Sequence, residues 1–225
     1  MTATAGVVLA GGRSSRMGTP KAALEWRGGT LLHRTVSVLA EAAGGPVVVV
    51  RAAGQSLPRL PRATIVVEDP RAEKGPLQGI AAGLAALAAA GAAADGPAPV
   101  AAFAAATDMP FLHPAFIRRV LALLAEDRAD VALPVARGHA QPLAAAYRVA
   151  LAPLADALVA SGRLRPADLF AACSVTRLDE ARLLAGAALA AADPGLDSLV
   201  NVNHPAEYAA ARARAAEEPV RPPGA

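Results

Sequence analysis

Four valines in succession, Val47 to Val50, constrain this chain more than any other stretch. β-branched residues favour extended backbone, and a continuous apolar run keeps no polar face for water. Such a strand is buried on both faces, which calls for helices above and below a mostly parallel sheet. The surrounding sequence supplies them. Ala5 to Leu9 reads as the first strand. Thr30 to Ala43 reads as a helix with Thr30 as N-cap, with Leu32, Val36 and Leu39 on one face and Gly44-Gly45-Pro46 as its stop. Ile65–Val67, Pro99–Ala105, Val131–Val135 and Ser174–Leu178 read as further strands, and Pro142–Tyr147 as another that is open to antiparallel pairing. Leu77–Ala90, Pro114–Ala125, Val149–Ala160, Pro166–Ala171 and His204–Glu217 read as helices. Repeated β-α-β units predict an α/β fold: a doubly wound, mostly parallel sheet with helices on both faces. One domain is expected over residues 1–217, with a disordered tail over 218–225.

Composition narrows the function classes. The 225 residues are 54% hydrophobic but only 3% aromatic, so the core is built from Ala, Val and Leu. The alanine-rich stretch over 85–94 is helix-prone and carries no function of its own. The net charge is +3, yet the arginines are scattered and Trp26, Tyr147 and Tyr208 form no stacking stripe. Nucleic acid is therefore not an expected partner, whereas an anionic small molecule is. Cys173 is the only cysteine, which leaves no internal disulfide and no thiolate metal cluster; it reads as a small buried apolar residue. The four histidines have no short metal-ligand spacing. Met1 to Gly6 has no basic leader, and the apolar stretches are broken by glycines and polar residues, so no membrane partner and a cytoplasmic location are expected. A monomer suits the sequence, which does not fix the oligomeric state.

The first strand empties into Leu9-Ala10-Gly11-Gly12-Arg13-Ser14-Ser15-Arg16-Met17-Gly18-Thr19-Pro20-Lys21. Glycines let backbone N–H groups turn toward an anion and let a ligand approach closely. Arg16 and Lys21 add the charge that phosphate oxygens require. The spacing fits neither G-x-G-x-x-G nor a Gly-Lys-Ser/Thr P-loop. Asp108 ends the almost wholly apolar Pro99 strand; it reads either as a turn aspartate before Pro110 or as a carboxylate ligand for Mg²⁺. Asp69, in Glu68-Asp69-Pro70, reads as a turn residue or a ligand contact. Gly75-Pro76-Leu77-Gln78-Gly79 is either a loop-to-helix junction or an exposed loop in which Gly75 and Gln78 read a base edge. In Asn201-Val202-Asn203-His204-Pro205, Asn203 is a good N-cap, or Asn201 and Asn203 both face a cleft. In a doubly wound sheet these strand ends converge on one edge.

The loop resembles the signature of nucleotidyltransferases on a Rossmann-like sheet, L-A-G-G-x-S-x-R-M-G-x-x-K, at every fixed position. Gly75–Gly79, Thr107-Asp108-Met109-Pro110, Gln141-Pro142 and Asn201-Val202-Asn203 follow in order. Together they resemble the molybdenum cofactor guanylyltransferase (MobA) family from about Gly6 to Tyr208. The resemblance implies a nucleotide-diphospho-sugar transferase-like fold and transfer of GMP from GTP to a phosphorylated pterin, with Mg²⁺ and release of pyrophosphate. It implies that Leu9, Ala10, Gly11 and Gly12 contact the nucleotide, with Lys21 and Arg16 on its phosphates. It further implies Asp69 as a nucleotide contact, Asp108 as the Mg²⁺ ligand, and Asn201 and Asn203 on the pterin side. Two positions depart from the family pattern. Lys21 follows Thr19-Pro20 rather than an aspartate, and Arg51 stands where the family often offers an asparagine. Two other readings are a cytidylyl- or other nucleotidyltransferase for a different small phosphate, and a nucleotide-binding module without turnover. Lys21 and Asp108 together favour turnover, since binding alone does not require both.

Overall fold

In β1 (Thr4–Leu9) Val8 enters one core while Ala5 and Val7 enter another, and all three are buried. A small hairpin follows, β2 (Glu25–Trp26) and β3 (Gly29–Thr30), turned by Arg27 and Gly28, both at positive φ. α1 (Leu31–Ala43) then begins as expected: Thr30 accepts a hydrogen bond from the His33 N–H at 3.2 Å, and Gly44 ends the helix at φ +69°. In β4 (Val47–Ala52) the four valines alternate, Val47 and Val49 into the first core and Val48 and Val50 into the second. The chain continues through β5 (Thr64–Asp69), α2 (Pro76–Ala93), β6 (Ala101–Ala106), α3 (Pro114–Glu126), β7 (Val131–Ala136), β8 (His139–Ala140) and β9 (Ala144–Arg148). It ends with α4 (Ala152–Ala160), α5 (Pro166–Phe170), β10 (Val175–Leu178), α6 (Glu180–Leu184), α7 (Ala187–Ala192) and α8 (Pro205–Glu217). This computed structural model describes residues 3–11, 20–69, 75–93 and 97–217; Gly12, Arg16 and the expected tail lie outside them.

Among the described residues, eight strands form one sheet. Its order is β10-β7-β9-β6-β1-β4-β5, with β8 paired to β7. β1 runs parallel to both β4 and β6, while β9 is antiparallel between β6 and β7. α1 and α3 pack together on one face, and α2 and α4 on the other. The chain leaves β1 toward β4 and later returns through α2 to β6 on the opposite side. The strand order thus reverses at β1, where ligands bind in such sheets.

Three of the seven aromatic side chains sit in the two main cores. Phe103 meets Phe116 edge-on at 6.1 Å, and buried Tyr147 donates its hydroxyl to the Pro142 carbonyl at 2.7 Å. Alanines fill β6 and β9 despite their poor strand propensity, because the flanking strands and both helix layers decide the conformation there. Glycine breaks do not keep α2 from being long and apolar enough, by length and composition, to cross a membrane. Its Leu77, Ile80, Leu84 and Leu87 are buried against the sheet side. Gly79 and Gly83 bring it onto β1: a Cβ at Gly83 would sit 2.4 Å from Val7 Cγ1, and one at Gly79 2.8 Å from Leu9 Cδ2.

Candidate active site at the carboxyl edge of the sheet

Register places the expected site residues in one row. Leu9 pairs with Val50 and with Ala106, so the next residues out are Ala10 and Gly11, then Arg51 and Ala52, then Thr107 and Asp108. Asp69 pairs with Ala52, one strand further along. A cavity of about 340 Å³ opens there, lined in part by Ala10, Gly11, Lys21, Asp69, Gly75 and Asp108. The convergence expected from the strand ends is therefore present. Ala10 and Gly11 both donate to the Val50 carbonyl, at 2.8 and 3.3 Å. A Cβ on Gly11 would lie 3.1 Å from the Ala52 nitrogen, so glycine admits the close approach of the two strand ends.

Lys21 sits at the start of a short 3₁₀ turn, Lys21–Ala23, anchored by buried Ala22. Its Nζ lies 2.6 Å from Asp108 Oδ2 and 2.8 Å from Asn203 Oδ1. Residues separated by 87 and 182 positions in sequence meet at one ammonium group. The pair is partly shielded, with 23% of the Lys21 side chain and 15% of the Asp108 side chain exposed. Asp108 Oδ1 is buried and has no hydrogen-bond partner among the described residues. The Val202 N–H donates to the Asp108 carbonyl at 2.9 Å, stitching the Asn201–Asn203 turn onto the end of β6.

That turn resolves two alternatives. Asn203 is not the N-cap of α8; the Glu207 carboxylate accepts from the Asn203 and His204 N–H groups at 2.6 and 3.0 Å, which leaves the Asn203 amide for Lys21. Asn201 does not join it. The half-buried Asn201 turns its amide toward the Leu199 carbonyl at 3.5 Å and does not line the cavity. Gln78 also departs from expectation. Of the two readings of Gly75–Gly79 the structure has the loop-to-helix junction: Gln78 lies in the first turn of α2, 6% exposed, and the cavity is lined by Gly75, Pro76 and Gly79 instead. Arg51 is held by protein groups, donating to Glu68 Oε1 and to the Gln55 carbonyl, each at 2.8 Å.

α8 holds the Lys21 turn in place. Trp26 in β2 packs edge-on against Phe111 at 5.6 Å, and the Arg214 guanidinium lies over the Phe111 ring at 4.5 Å. Arg214 also pairs with Asp197, and the Tyr208 hydroxyl donates to the Glu25 carbonyl. The Arg214 hydrogen bond holds the Asp197 carboxyl below its ordinary range, and the Asn203 and His204 N–H groups do the same for Glu207. A lowered folded value means that each contribution is fully present above the unfolded value, about pH 4 to 4.5, and is lost as pH falls through the folded one. Acidification is thus expected to loosen α8 before the central strands β1 and β6. Hydrogen exchange from about pH 6 down to pH 3 should show α8 amides losing protection before those of β1 and β6; simultaneous loss would contradict this.

The family model for the MobA-like NTP transferase domain matches residues 6–174, which include the glycine loop, Lys21, Asp69 and Asp108. The chain belongs to this family. As a MobA-like NTP transferase it is a nucleotidyltransferase. It is 40% identical over 185 residues to a protein of Mycobacterium avium named probable molybdenum cofactor guanylyltransferase, spanning 80% of this chain and 88% of that one. A Mycobacterium tuberculosis protein of the same name is 39% identical over 176 residues, spanning 77% and 82%. In fold it is similar to molybdopterin-guanine dinucleotide biosynthesis protein A of Archaeoglobus fulgidus, with TM-score 0.72 and 18% identity over 96% of this chain and all of that one. It is also similar to 2-C-methyl-D-erythritol 4-phosphate cytidylyltransferase of Thermus thermophilus, with TM-score 0.61 and 21% identity over 96% and 98%. The Asn201–Asn203 turn lies beyond the matched segment. Thr107, whose buried hydroxyl donates to the Leu9 carbonyl at 3.0 Å, and Glu207 were not singled out from sequence. A hydroxyl before the strand-end aspartate and a carboxylate two residues after Pro205 were the only signals for them.

Proposed function

We propose that this chain transfers GMP from GTP to the terminal phosphate of molybdopterin and releases pyrophosphate. The observation that carries this reading is the meeting of Lys21 and Asp108, which line the strand-edge cavity, with Asn203 on the same ammonium group. The Mycobacterium relatives, named for guanylyl transfer to the molybdenum cofactor, support the choice of substrates.

The residues do little covalent chemistry. They bring two anions together and neutralise the charge that grows between them. Ala10, Gly11 and Lys21 line the same cavity, Ala10 and Gly11 for the nucleotide and Lys21 for its phosphates. In the structure Lys21 is hydrogen-bonded to Asp108 and Asn203. A triphosphate offers it more negative charge, so Lys21 turns toward the oxygens of the leaving pyrophosphate and stabilises them in the transition state. The acceptor phosphate is already ionised and needs no general base.

The donor set fits a hard divalent cation such as Mg²⁺. Asp108 offers a buried carboxylate oxygen with open lone pairs, and Asp69 lines the same cavity. When bound, the cation neutralises phosphate oxygens and makes the α-phosphorus more electrophilic. Asp108 would hold it through Oδ1, the oxygen that Lys21 does not contact.

Thermal unfolding with Mg²⁺ and each of the four nucleoside triphosphates tests the nucleotide half of this reading. GTP is expected to raise the melting temperature most, because a ligand stabilises the folded state by its binding free energy. An equal shift with all four, or a larger one with CTP, would overturn the guanine assignment.

A further inference from the structure

The chain leaving β1 is held by two side chains that the transfer reaction itself does not use. The Leu9 carbonyl accepts from Thr107 on the β6 side, and the Ala10 carbonyl accepts from Gln55 Nε2, at 3.0 Å, on the β4 side. Gln55 Oε1 meanwhile accepts from the Ala52 N–H at 3.0 Å, and the Gln55 backbone N–H donates to the Ala52 carbonyl at 3.1 Å. The Gln55 carbonyl is in turn gripped by Arg51, which pairs with Glu68. One amide thus bridges the end of β4 and the end of β1. Gln55 does not line the cavity, whereas Ala10 and Gly11 do.

The Ala10–Gly11 peptide needs such a strut. It precedes a glycine, so rotation there meets little steric resistance. The N–H of the same peptide reaches the Val50 carbonyl only at 3.3 Å, and Gln55 supplies the shorter bond, at 3.0 Å, on the carbonyl side. We infer that Gln55 is a positioning residue for nucleotide binding: its amide locks the Ala10–Gly11 peptide that walls the cavity. This rests on the nucleotide reading above. Gln55 touches no reacting atom, so its loss weakens ground state and transition state together and is read in KM rather than kcat.

Two substitutions separate this role from simple closure of the turn. Gln55→Glu keeps an oxygen acceptor for the Ala52 N–H but sets a carboxylate oxygen against the Ala10 carbonyl. Gln55→Met removes both partners at similar volume. Nucleotide dissociation constants by calorimetry and pyrophosphate-release kinetics are measured for wild type and both variants. The expected result is a rise of about tenfold or more in Kd and KM for GTP in both variants, the loss of one hydrogen bond to a fixed partner, with kcat within about twofold. A wild-type Kd in Gln55→Glu beside a loss in Gln55→Met would make Gln55 a turn residue and overturn the inference. So would a fall in kcat at unchanged KM. If wild type binds GTP and both variants bind it equally, this inference alone fails. If wild type binds no nucleotide, the functional reading fails and this inference falls with it.

Discussion

Asp108→Asn is expected to lower pyrophosphate release by about 10²–10³-fold while the melting temperature stays within about 3 °C of wild type. The substitution keeps the shape of the side chain and its place at the end of β6. It removes the negative charge that faces the cavity, where Oδ1 is buried and has no hydrogen-bond partner among the described residues. The backbone carbonyl of residue 108 still accepts from Val202, so the turn before α8 remains attached. Steady-state kinetics across a Mg²⁺ series checks the mechanism: the variant should need more Mg²⁺ for its residual rate. Wild-type kinetics in Asp108→Asn would remove this carboxylate from the reaction.

Lys21→Ala is the second large effect. Loss of a charged donor aimed at developing negative charge costs about 3–4 kcal/mol of transition-state stabilisation, roughly 10²–10³-fold in kcat/KM. It also leaves the Asp108 carboxylate without its ammonium partner in a part-shielded site. Removing one member of such a pair is more costly than removing both. The melting temperature of Lys21→Ala should therefore recover, at least in part, when Asp108→Asn is added. The double variant should lose little more activity than either single one, because both residues serve the same phosphates. Multiplying losses, or no recovery of stability, would mean that the two residues act separately. Lys21→Arg is not expected to rescue, since a planar guanidinium does not replace a compact ammonium held between Asp108 Oδ2 and Asn203 Oδ1.

The features that sequence showed most clearly are those governed by local periodicity and by topology. Val47–Val50 required burial on two faces, and the alternation of these valines between two cores is that requirement met. Because the strands are parallel, an aspartate just past the β6 strand and the first loop glycine past β1 had to share an edge, and Asp108 and Gly11 do. The hairpin of β2 and β3 was hidden because its strands are two residues each, and its turn depends on Arg27 adopting a positive φ that its residue type does not advertise. Gln78 differs from the exposed-loop reading because the helix turns its side chain inward, where it is buried beside Leu77 and Ile80, and a polar residue type does not advertise a buried position. Asn203 shows the opposite limit. Its residue type favours capping, but Glu207 four residues on takes the backbone N–H groups and leaves its amide to Lys21. That outcome depends on a contact across 182 residues, which no local pattern encodes. Gln55 was invisible for the same reason: its partner, the Ala10 carbonyl, is 45 residues away and is a backbone atom.

The most direct test of the central claim is pyrophosphate release by the wild-type chain with Mg²⁺, molybdopterin-loaded acceptor and each nucleoside triphosphate in turn. The account predicts release with GTP, dependence on the acceptor, and near-abolition in Asp108→Asn. Release with CTP in place of GTP, or none from a folded chain supplied with an active acceptor, would contradict it.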